Sequence, residues 1–205
     1  MTKIAAGWSE GRLNVPGRGK PLRMKILNAL RTGENRLAKR MASWDSPWAR
    51  GLLPPVEDAA ERTKLWWATA AVMVAGGGWR GRRAASAGVA GMVTAQVLSN
   101  GVGKQLIERR RPPKEWFWHE DVEDRPDSSS FPSGHTAAAV AFTAAVAPTW
   151  PWAGAVCAVP TALVAVERVH SGAHYPSDVA AGAAIGLAAA AVVRAAPRLL
   201  LRRLG

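Results

Sequence analysis

The sequence predicts an all-α protein, an integral-membrane bundle of about five helices that also carries a basic N-terminal tail and an amphipathic helix. Beyond Lys64 the chain contains five runs of apolar or small residues, over 65–78, 84–103, 136–149, 153–166 and 179–193. These runs lack the charged stripe of a soluble amphipathic helix, and neither internal repeats nor the alternating pattern of β-strands is evident. The last run contains Gly182-x-x-x-Gly186, a spacing that permits close contact between helices in lipid.

The lengths of the runs and the residues at their ends favour membrane helices over a soluble bundle. A spanning helix needs about 20 residues, and only the run over 84–103 reaches this length by itself. The other runs become long enough when the tryptophans at their ends lie in the membrane interface, where tryptophan is enriched. These tryptophans are Trp66, Trp67, Trp79, Trp150 and Trp152. A mean hydropathy close to zero fits a soluble Ala-rich bundle instead, but the polar first part of the chain lowers that average.

The N-terminal part of the chain is polar and basic. The whole chain has 27 Lys and Arg against 15 Asp and Glu, a net charge of +12, which suits nucleic acid, an anionic membrane surface or a phosphorylated substrate. We divide this part into a disordered basic tail over 1–21 and an amphipathic, interfacial helical segment over 22–64. The apolar and basic residues of the segment fit a membrane-surface helix and a helix packed on its own domain equally well. No nucleic-acid-binding motif is recognisable, so no nucleic-acid partner is expected.

Polar residues gather at three breaks between the predicted helices. The segments are KQLIERRRPP after the second run, SSFPSGH before the third, and ERVHSGAHYPSD between the fourth and the fifth. Because successive membrane helices alternate in direction, all three breaks lie on the same face of the bundle. The topology therefore predicts a single site built from the three segments.

The three segments contain the groups that a phosphoryl group requires. They supply cations, hydrogen-bond donors, two histidines and a carboxylate, namely Lys104, Arg111, Arg168, Ser133, the Gly134 amide, His135, His174 and Asp178. Cations and forked donors suit phosphoryl transfer because negative charge spreads over the oxygens of the transferred group. One histidine can attack phosphorus while another protonates the leaving oxygen. Ser133 has a second interpretation as the N-cap of the third helix. No set of three or four metal ligands occurs in these segments, so neither a metal nor another cofactor is expected.

At these residues the sequence resembles the type 2 phosphatidic acid phosphatase (PAP2) superfamily, in its membrane lipid phosphatase branch; the superfamily also contains the vanadium haloperoxidases. The signature has three parts, K-x6-RP, PSGH and SR-x5-H-x3-D. The chain matches them in order with Lys104-x6-Arg111-Pro112, with Pro132-Ser133-Gly134-His135, and with Arg168-x5-His174-x3-Asp178. The resemblance covers about 65–195, which we take as the phosphatase-like membrane domain, followed by a basic C-terminal tail over 196–205.

The resemblance implies a role for each matching residue. His174 is the nucleophile that forms a phosphohistidine, Asp178 holds its ring, and His135 protonates the leaving group. The residues that bind the phosphate are Lys104, Arg111, Ser133, Gly134 and Arg168. One position departs from the family, because Glu167 stands where a serine is usual. Either Glu167 faces away from the substrate and orients Arg168, or the substrate preference has changed.

The resemblance implies a membrane phosphatase that hydrolyses a phosphomonoester or pyrophosphate of a lipid. Phosphatidic acid, phosphatidylglycerol phosphate, polyprenyl pyrophosphate and polyprenyl-sugar phosphate all present this group, so the substrate stays open, as does the oligomeric state. A vanadate-dependent haloperoxidase and a non-enzymatic basic membrane-associated protein are the alternatives. We expect a multi-pass protein of the cell membrane. Placing the basic segment 80–83 and the C-terminus inside puts the active site at the outer face, whereas Arg62, Lys64 and the basic loop after the second run favour the opposite orientation, so the side stays open.

Four further residues lie near these motifs without matching them. We expect Arg109 and Arg110 to face solvent or lipid, since only Arg111 has the required spacing from Lys104 and is followed by proline. His119 is interpreted as a surface-loop residue. A place for His170 in the site is left open.

Overall fold

The computed structural model describes residues 22–117 and 128–204, in which no β-strand occurs, so the all-α prediction is confirmed. The side chains of Arg23, Leu27, Val102, Leu106 and 197–204 are not described. The predicted tail over 1–21 and His119 lie outside the described residues. The helices are α1 (Leu22–Ala42), α2 (Pro47–Ala60), α3 (Lys64–Gly76), α4 (Gly78–Gln96), α5 (Lys104–Leu106), α6 (Gly134–Val146), α7 (Pro151–His170) and α8 (Pro176–Leu204).

Short helical turns join several of these helices. A 3₁₀ turn over Glu61–Thr63 connects α2 to α3, a π-helical segment over Val97–Gly103 joins α4 to α5, and another 3₁₀ turn covers Lys114–Trp116. The interfacial segment predicted over 22–64 is thus two helices and a turn. The helix α8 continues through Leu204, past the predicted start of the C-terminal tail.

Local sequence accounts for where the longer helices begin. The Ser46 hydroxyl accepts a hydrogen bond from the Ala49 amide at the start of α2 (3.2 Å), and α7 and α8 begin with Pro151 and Pro176. Proline suits the first helical position because its missing N–H would have no partner there. Ser133 caps α6 in the same way as Ser46 caps α2.

Each of the five predicted runs falls on a helix, but the helices differ in length. Among the described residues, Pro151–His170 and Pro176–Ala196 are long and apolar enough to cross a membrane, and Gly134–Val146 is a shorter apolar helix. With 13 residues, α3 and α6 are each about 20 Å long, against about 30 Å for a bilayer core. The number of membrane helices therefore stays a prediction.

The core forms where α3, α4, α6 and α7 pack together. Trp66 is 1% exposed, and its ring centroid lies 5.3 Å from that of Phe142. The prediction that Trp66 marks a membrane interface is wrong, because α6 covers its ring inside the bundle. Trp67, Trp79 and Trp152 are exposed, whereas Trp150 is part-buried and packs against the core, so a place of these four in a membrane interface stays a prediction.

Glycines bring α8 and α6 into backbone contact. A Cβ atom added at Gly182 would lie 2.4 Å from the Ser133 carbonyl oxygen, and one at Gly186 would lie 2.6 Å from the Ala137 carbonyl oxygen. The Ser133 amide donates to the Asp178 carbonyl oxygen (3.0 Å). The start of α6 is therefore held against the start of α8, which brings the second and third polar segments together.

The first polar segment reaches the same place by hydrogen bonds. The Ser130 amide donates to the Arg109 carbonyl oxygen (2.9 Å), and the Ser129 hydroxyl donates to the Ile107 carbonyl oxygen (2.8 Å). All three polar segments thus meet at one end of the helices, as the topology predicts.

Candidate active site

A cavity of about 730 Å³ opens where the three polar segments meet. Six of the eight predicted site residues line it, namely Lys104, Arg111, Gly134, His135, Arg168 and His174. Ser133 and Asp178 are fully buried behind this surface. The cavity thus combines three cations with two histidines, one of which lies on α6 and the other in the turn before α8.

His174 presents one nitrogen for chemistry. Its Nδ1 lies 2.6 Å from the Ser130 carbonyl oxygen, and since a carbonyl only accepts, Nδ1 carries the proton of that hydrogen bond. Burial and the charge of Arg111 hold the pKa of His174 well below its usual range. The ring is therefore neutral near pH 7, and Nε2 keeps the lone pair that a nucleophile needs.

Asp178 is close to His174 but is not its direct hydrogen-bond partner. The Asp178 Oδ2 atom lies 4.0 Å from His174 Nδ1 and accepts from the Tyr175 amide at 2.8 Å. This is the geometry of an acid in the first turn of a helix that bonds back to the preceding amide. The Ser130 carbonyl takes the position on Nδ1 that we predicted for Asp178, because the turn Tyr175-Pro176 commits the carboxylate to the start of α8.

Ser133 and Gly134 occupy the turn into α6. The Ser133 hydroxyl lies 3.0 Å from the Thr136 hydroxyl and accepts from the Thr136 amide (3.4 Å), so the N-cap interpretation describes its contacts. Its role in phosphate binding stays a prediction. A Cβ atom at Gly134 would lie 2.9 Å from the Asn100 side-chain oxygen, so glycine lets the chain pass close to the cavity wall.

Lys104 and Arg111 form a region of concentrated positive charge. Arg111 donates to the Ala173 carbonyl oxygen at 2.7 Å, and Lys104 contacts the Ser128 hydroxyl at 3.4 Å. Burial and the charge of Arg111 lower the pKa of Lys104, while burial and the charge of Arg168 lower the pKa of Arg111. Like charges that repel one another in a partly desolvated cavity favour the binding of an anion.

Arg168 is held by two carboxylates. Its Nη2 atom donates to Glu57 Oε1 of α2 at 2.5 Å, and its Nε atom donates to Glu167 Oε2. Glu167 is 2% exposed and does not line the large cavity. Of the two interpretations of Glu167, the geometry matches the one in which it faces away from the substrate and orients Arg168.

Glu167 also reaches a smaller cavity of about 110 Å³ beside the site, which His170 lines as well. His170 Nε2 lies 3.0 Å from the Trp44 carbonyl oxygen. His170 thus joins α7 to the chain between α1 and α2, and it does not line the large cavity.

The prediction for Arg109 is wrong. Its Nη1 donates to Asp178 Oδ1 (2.6 Å), its Nη2 donates to Glu34 Oε2 of α1 (2.7 Å), and its guanidinium stacks 4.1 Å from the Tyr175 ring centroid. Arg109 therefore connects the third polar segment to the N-terminal helix. Arg110 is exposed, as predicted.

Sequence reasoning also missed the part of the site that α2 and its following turn supply. This part of the cavity wall consists of Pro54, Glu57, Asp58, Glu61, Arg62 and Thr63. Arg62 and Thr63 adopt left-handed backbone conformations (φ 48° and 59°), which are strained for residues other than glycine. No spacing motif links them to the histidines, since α2 reaches the cavity only through tertiary packing.

Comparison with known proteins agrees with this geometry. The family model described as the PAP2 superfamily matches residues 85–201. Decaprenylphosphoryl-5-phosphoribose phosphatases from two Mycobacterium tuberculosis strains, CDC 1551 / Oshkosh and ATCC 25618 / H37Rv, are each 38% identical over 97 residues, which is 44% of this chain and 49% of theirs. The chain thus spans about half the length of these curated relatives.

Two solved structures share the fold. The first transmembrane PAP2 type phosphatidylglycerolphosphate phosphatase from Bacillus subtilis aligns with a TM-score of 0.63 and 22% identity, covering 83% of this chain and 87% of the other. Aquifex aeolicus LpxE aligns with a TM-score of 0.60 and 22% identity, covering 77% of this chain and 92% of the other. At this identity the likeness establishes the fold.

Proposed function

Because the chain belongs to the PAP2 superfamily, we propose that it is a membrane phosphatase that hydrolyses a lipid phosphate through a phosphohistidine and without a metal. The observation that carries the proposal is the pair His174 and His135 in one cavity with Lys104, Arg111 and Arg168. The cations bind the phosphate, His174 attacks phosphorus, and His135 transfers protons. The Gly134 amide, with the Ser133 turn behind it, completes the proposed phosphate site.

The reaction has two steps. In the first, which begins with His135 protonated, the lone pair on His174 Nε2 attacks phosphorus, the bond from phosphorus to the lipid oxygen breaks, and His135 gives its proton to that oxygen. In the second, His135 takes a proton from water, the water oxygen attacks phosphorus, and the bond to Nε2 breaks. Inorganic phosphate leaves, and both histidines return to their starting states. Asp178 stabilises the turn that carries His174.

The described helices support a membrane location. The apolar lengths of α7 and α8 are sufficient to span, and exposed Trp67, Trp79 and Trp152 suit an interface. We propose a multi-pass protein in which α3, α4 and α6 complete five membrane helices and the site faces the outer side. Cysteine-accessibility labelling of single-cysteine variants on each side of the membrane tests the orientation.

The substrate is proposed as a class. The curated relatives are named for a decaprenylphosphoryl phosphoribose and a structural neighbour for phosphatidylglycerolphosphate. Both compounds combine a lipid with a terminal phosphate, and both fit a cavity with cations on its wall. Phosphatidic acid and polyprenyl pyrophosphate present the same terminal group and belong in the assay.

The test is phosphate release by the full chain in detergent from these lipid phosphates, with EDTA present. We expect turnover by the wild type and none by His174→Ala, with Arg110→Ala as an active surface control. Loss of activity on chelation that magnesium restores would contradict the metal-free mechanism. Normal turnover by His174→Ala would contradict a phosphohistidine intermediate on His174. A protein that is monodisperse without detergent would contradict the membrane location.

A further inference from the structure

Beyond the motifs, the structure places a carboxylate from α1, that of Glu34, next to the turn that carries His174 and leads into α8. Glu34 lies 140 residues before His174 in the chain and outside the residues that the family model matches. Its side chain is only 14% exposed. Glu34 is thus a part-buried acid on a helix whose apolar residues are largely exposed, among them Leu22, Met24, Ile26, Leu30 and Leu37.

One oxygen of Glu34 holds the start of α8. Its Oε1 atom accepts from the Ser177 amide at 3.1 Å and from the Ser177 hydroxyl. The first amides of a helix have no partner within the helix, and the helix dipole favours negative charge at this end. Glu34 therefore caps α8 from another helix, next to the position of Asp178.

The other oxygen of Glu34 holds Arg109. The Arg109 Nη2 atom donates to Glu34 Oε2 at 2.7 Å, while Nη1 donates to Asp178 Oδ1 at 2.6 Å and to the Ser177 hydroxyl at 2.6 Å. The guanidinium is planar, so fixing Nη2 also fixes the direction of Nη1. Partial burial opposes ionisation of Glu34, but the hydrogen bonds from Ser177 and Arg109 lower its pKa.

We propose that Glu34 is a positioning residue for the reaction: through Ser177 and Arg109 it holds the turn that carries His174 and Asp178. The proposal rests on the proposed function, because it concerns the rate of that reaction. Glu34 does not line the cavity and so does not touch the phosphate. Its removal should lower kcat, which depends on the placement of Nε2, and leave KM nearly unchanged.

The experiment compares kcat and KM of Glu34→Ala and Glu34→Gln with those of the wild type. We expect Glu34→Ala to lower kcat by about 10–100-fold and Glu34→Gln by about 3–10-fold, because glutamine keeps an acceptor but loses the charge, with KM within about twofold in both. The matched control is Glu108→Ala, since Glu108 is an exposed acid beside Arg109; its kcat should equal that of the wild type.

A double-mutant cycle separates positioning from general destabilisation. If Glu34 acts through Arg109, the loss in Glu34→Ala/Arg109→Ala should be at least about fivefold smaller than the product of the two single losses. A product of independent losses, or full kcat in Glu34→Gln, would overturn the inference while the phosphatase proposal stands. An inactive wild type on every lipid phosphate would instead overturn the proposed function, and with it this role. Thermal unfolding of Glu34→Gln within a few degrees of the wild type is expected; a large drop that accounts for the lost activity counts against positioning.

Discussion

Arg109 and Arg111 are separated by one residue, yet their environments are opposite. Arg109 lies between Glu34 and Asp178, and although burial opposes it, these two carboxylates raise the pKa of Arg109. Arg111 lines the cavity near Lys104 and Arg168, and burial and the charge of Arg168 lower its pKa. The comparison teaches that charge compensation separates the two roles. Under the proposed function, the arginine paired with two acids fixes the structure, and the arginine close to other cations binds the phosphate.

Arg168 combines both environments. It lines the cavity but is paired with Glu57 and Glu167. Its pair with Glu167 is buried, whereas the Glu57 side chain is 34% exposed. If Arg168 binds phosphate as proposed, the phosphate competes with Glu57 for part of the guanidinium.

Among the variants that test this comparison, Arg111→Ala should have the largest effect, because we expect Arg111 to contact the phosphate directly. Arg111→Ala should lower kcat/KM by about 10³-fold, in line with other arginines that stabilise phosphoryl transfer. Steady-state phosphate release checks this, and Arg110→Ala should stay within about twofold of the wild type. An effect of Arg111→Ala no larger than that of Arg110→Ala would contradict phosphate binding by Arg111.

Lys104 should be the next most sensitive position, and its response depends on pH. We expect Lys104→Ala to lose about 10²-fold in kcat/KM. The wild type requires protonated Lys104, and because burial and Arg111 lower the pKa of Lys104, activity should fall at a lower pH than for an ordinary lysine. In Arg111→Gln the repulsion is gone, so the alkaline limb of the residual activity should move to higher pH. The comparison would be wrong if this limb moved to lower pH or stayed in place.

Arg109 should respond through kcat alone. Arg109→Lys keeps the positive charge but loses the fork that joins Glu34 to Asp178, so we expect about a tenfold loss in kcat and little change in KM. The paired measurement is Arg111→Lys, which should raise KM as well. Equal changes in KM for the two lysine variants would show that the two arginines do not differ as proposed.

The smallest expected effect is tighter binding of inorganic phosphate as an inhibitor. Glu57→Gln removes one of the carboxylates on Arg168, so competitive inhibition by inorganic phosphate should become about 3–10-fold tighter. Asp58→Asn is the control, because Asp58 is an exposed acid on the same wall of the cavity. An equal gain in Asp58→Asn would indicate a general charge effect, and weaker inhibition in Glu57→Gln would contradict competition for Arg168.

Local features made the helices and much of the candidate site predictable. Apolar runs fold as helices because their backbone hydrogen bonds close within four residues, and caps such as Ser133 act over three residues. The order of the helices then brings the ends that carry Lys104, His135 and His174 together. These relations need only neighbouring residues and alternating chain direction, so the sequence by itself determined them.

Tertiary packing decided which groups those residues contact. Arg109 finds Glu34 across 75 residues, and Arg168 finds Glu57 across 111. Ser133 and Asp178 match the motif, but capping bonds at the starts of α6 and α8 set their nearest contacts. Trp66 lies in the core for the same kind of reason, since α6 covers it. An ion pair between distant segments depends on how whole helices pack, and no short spacing in the chain records that packing.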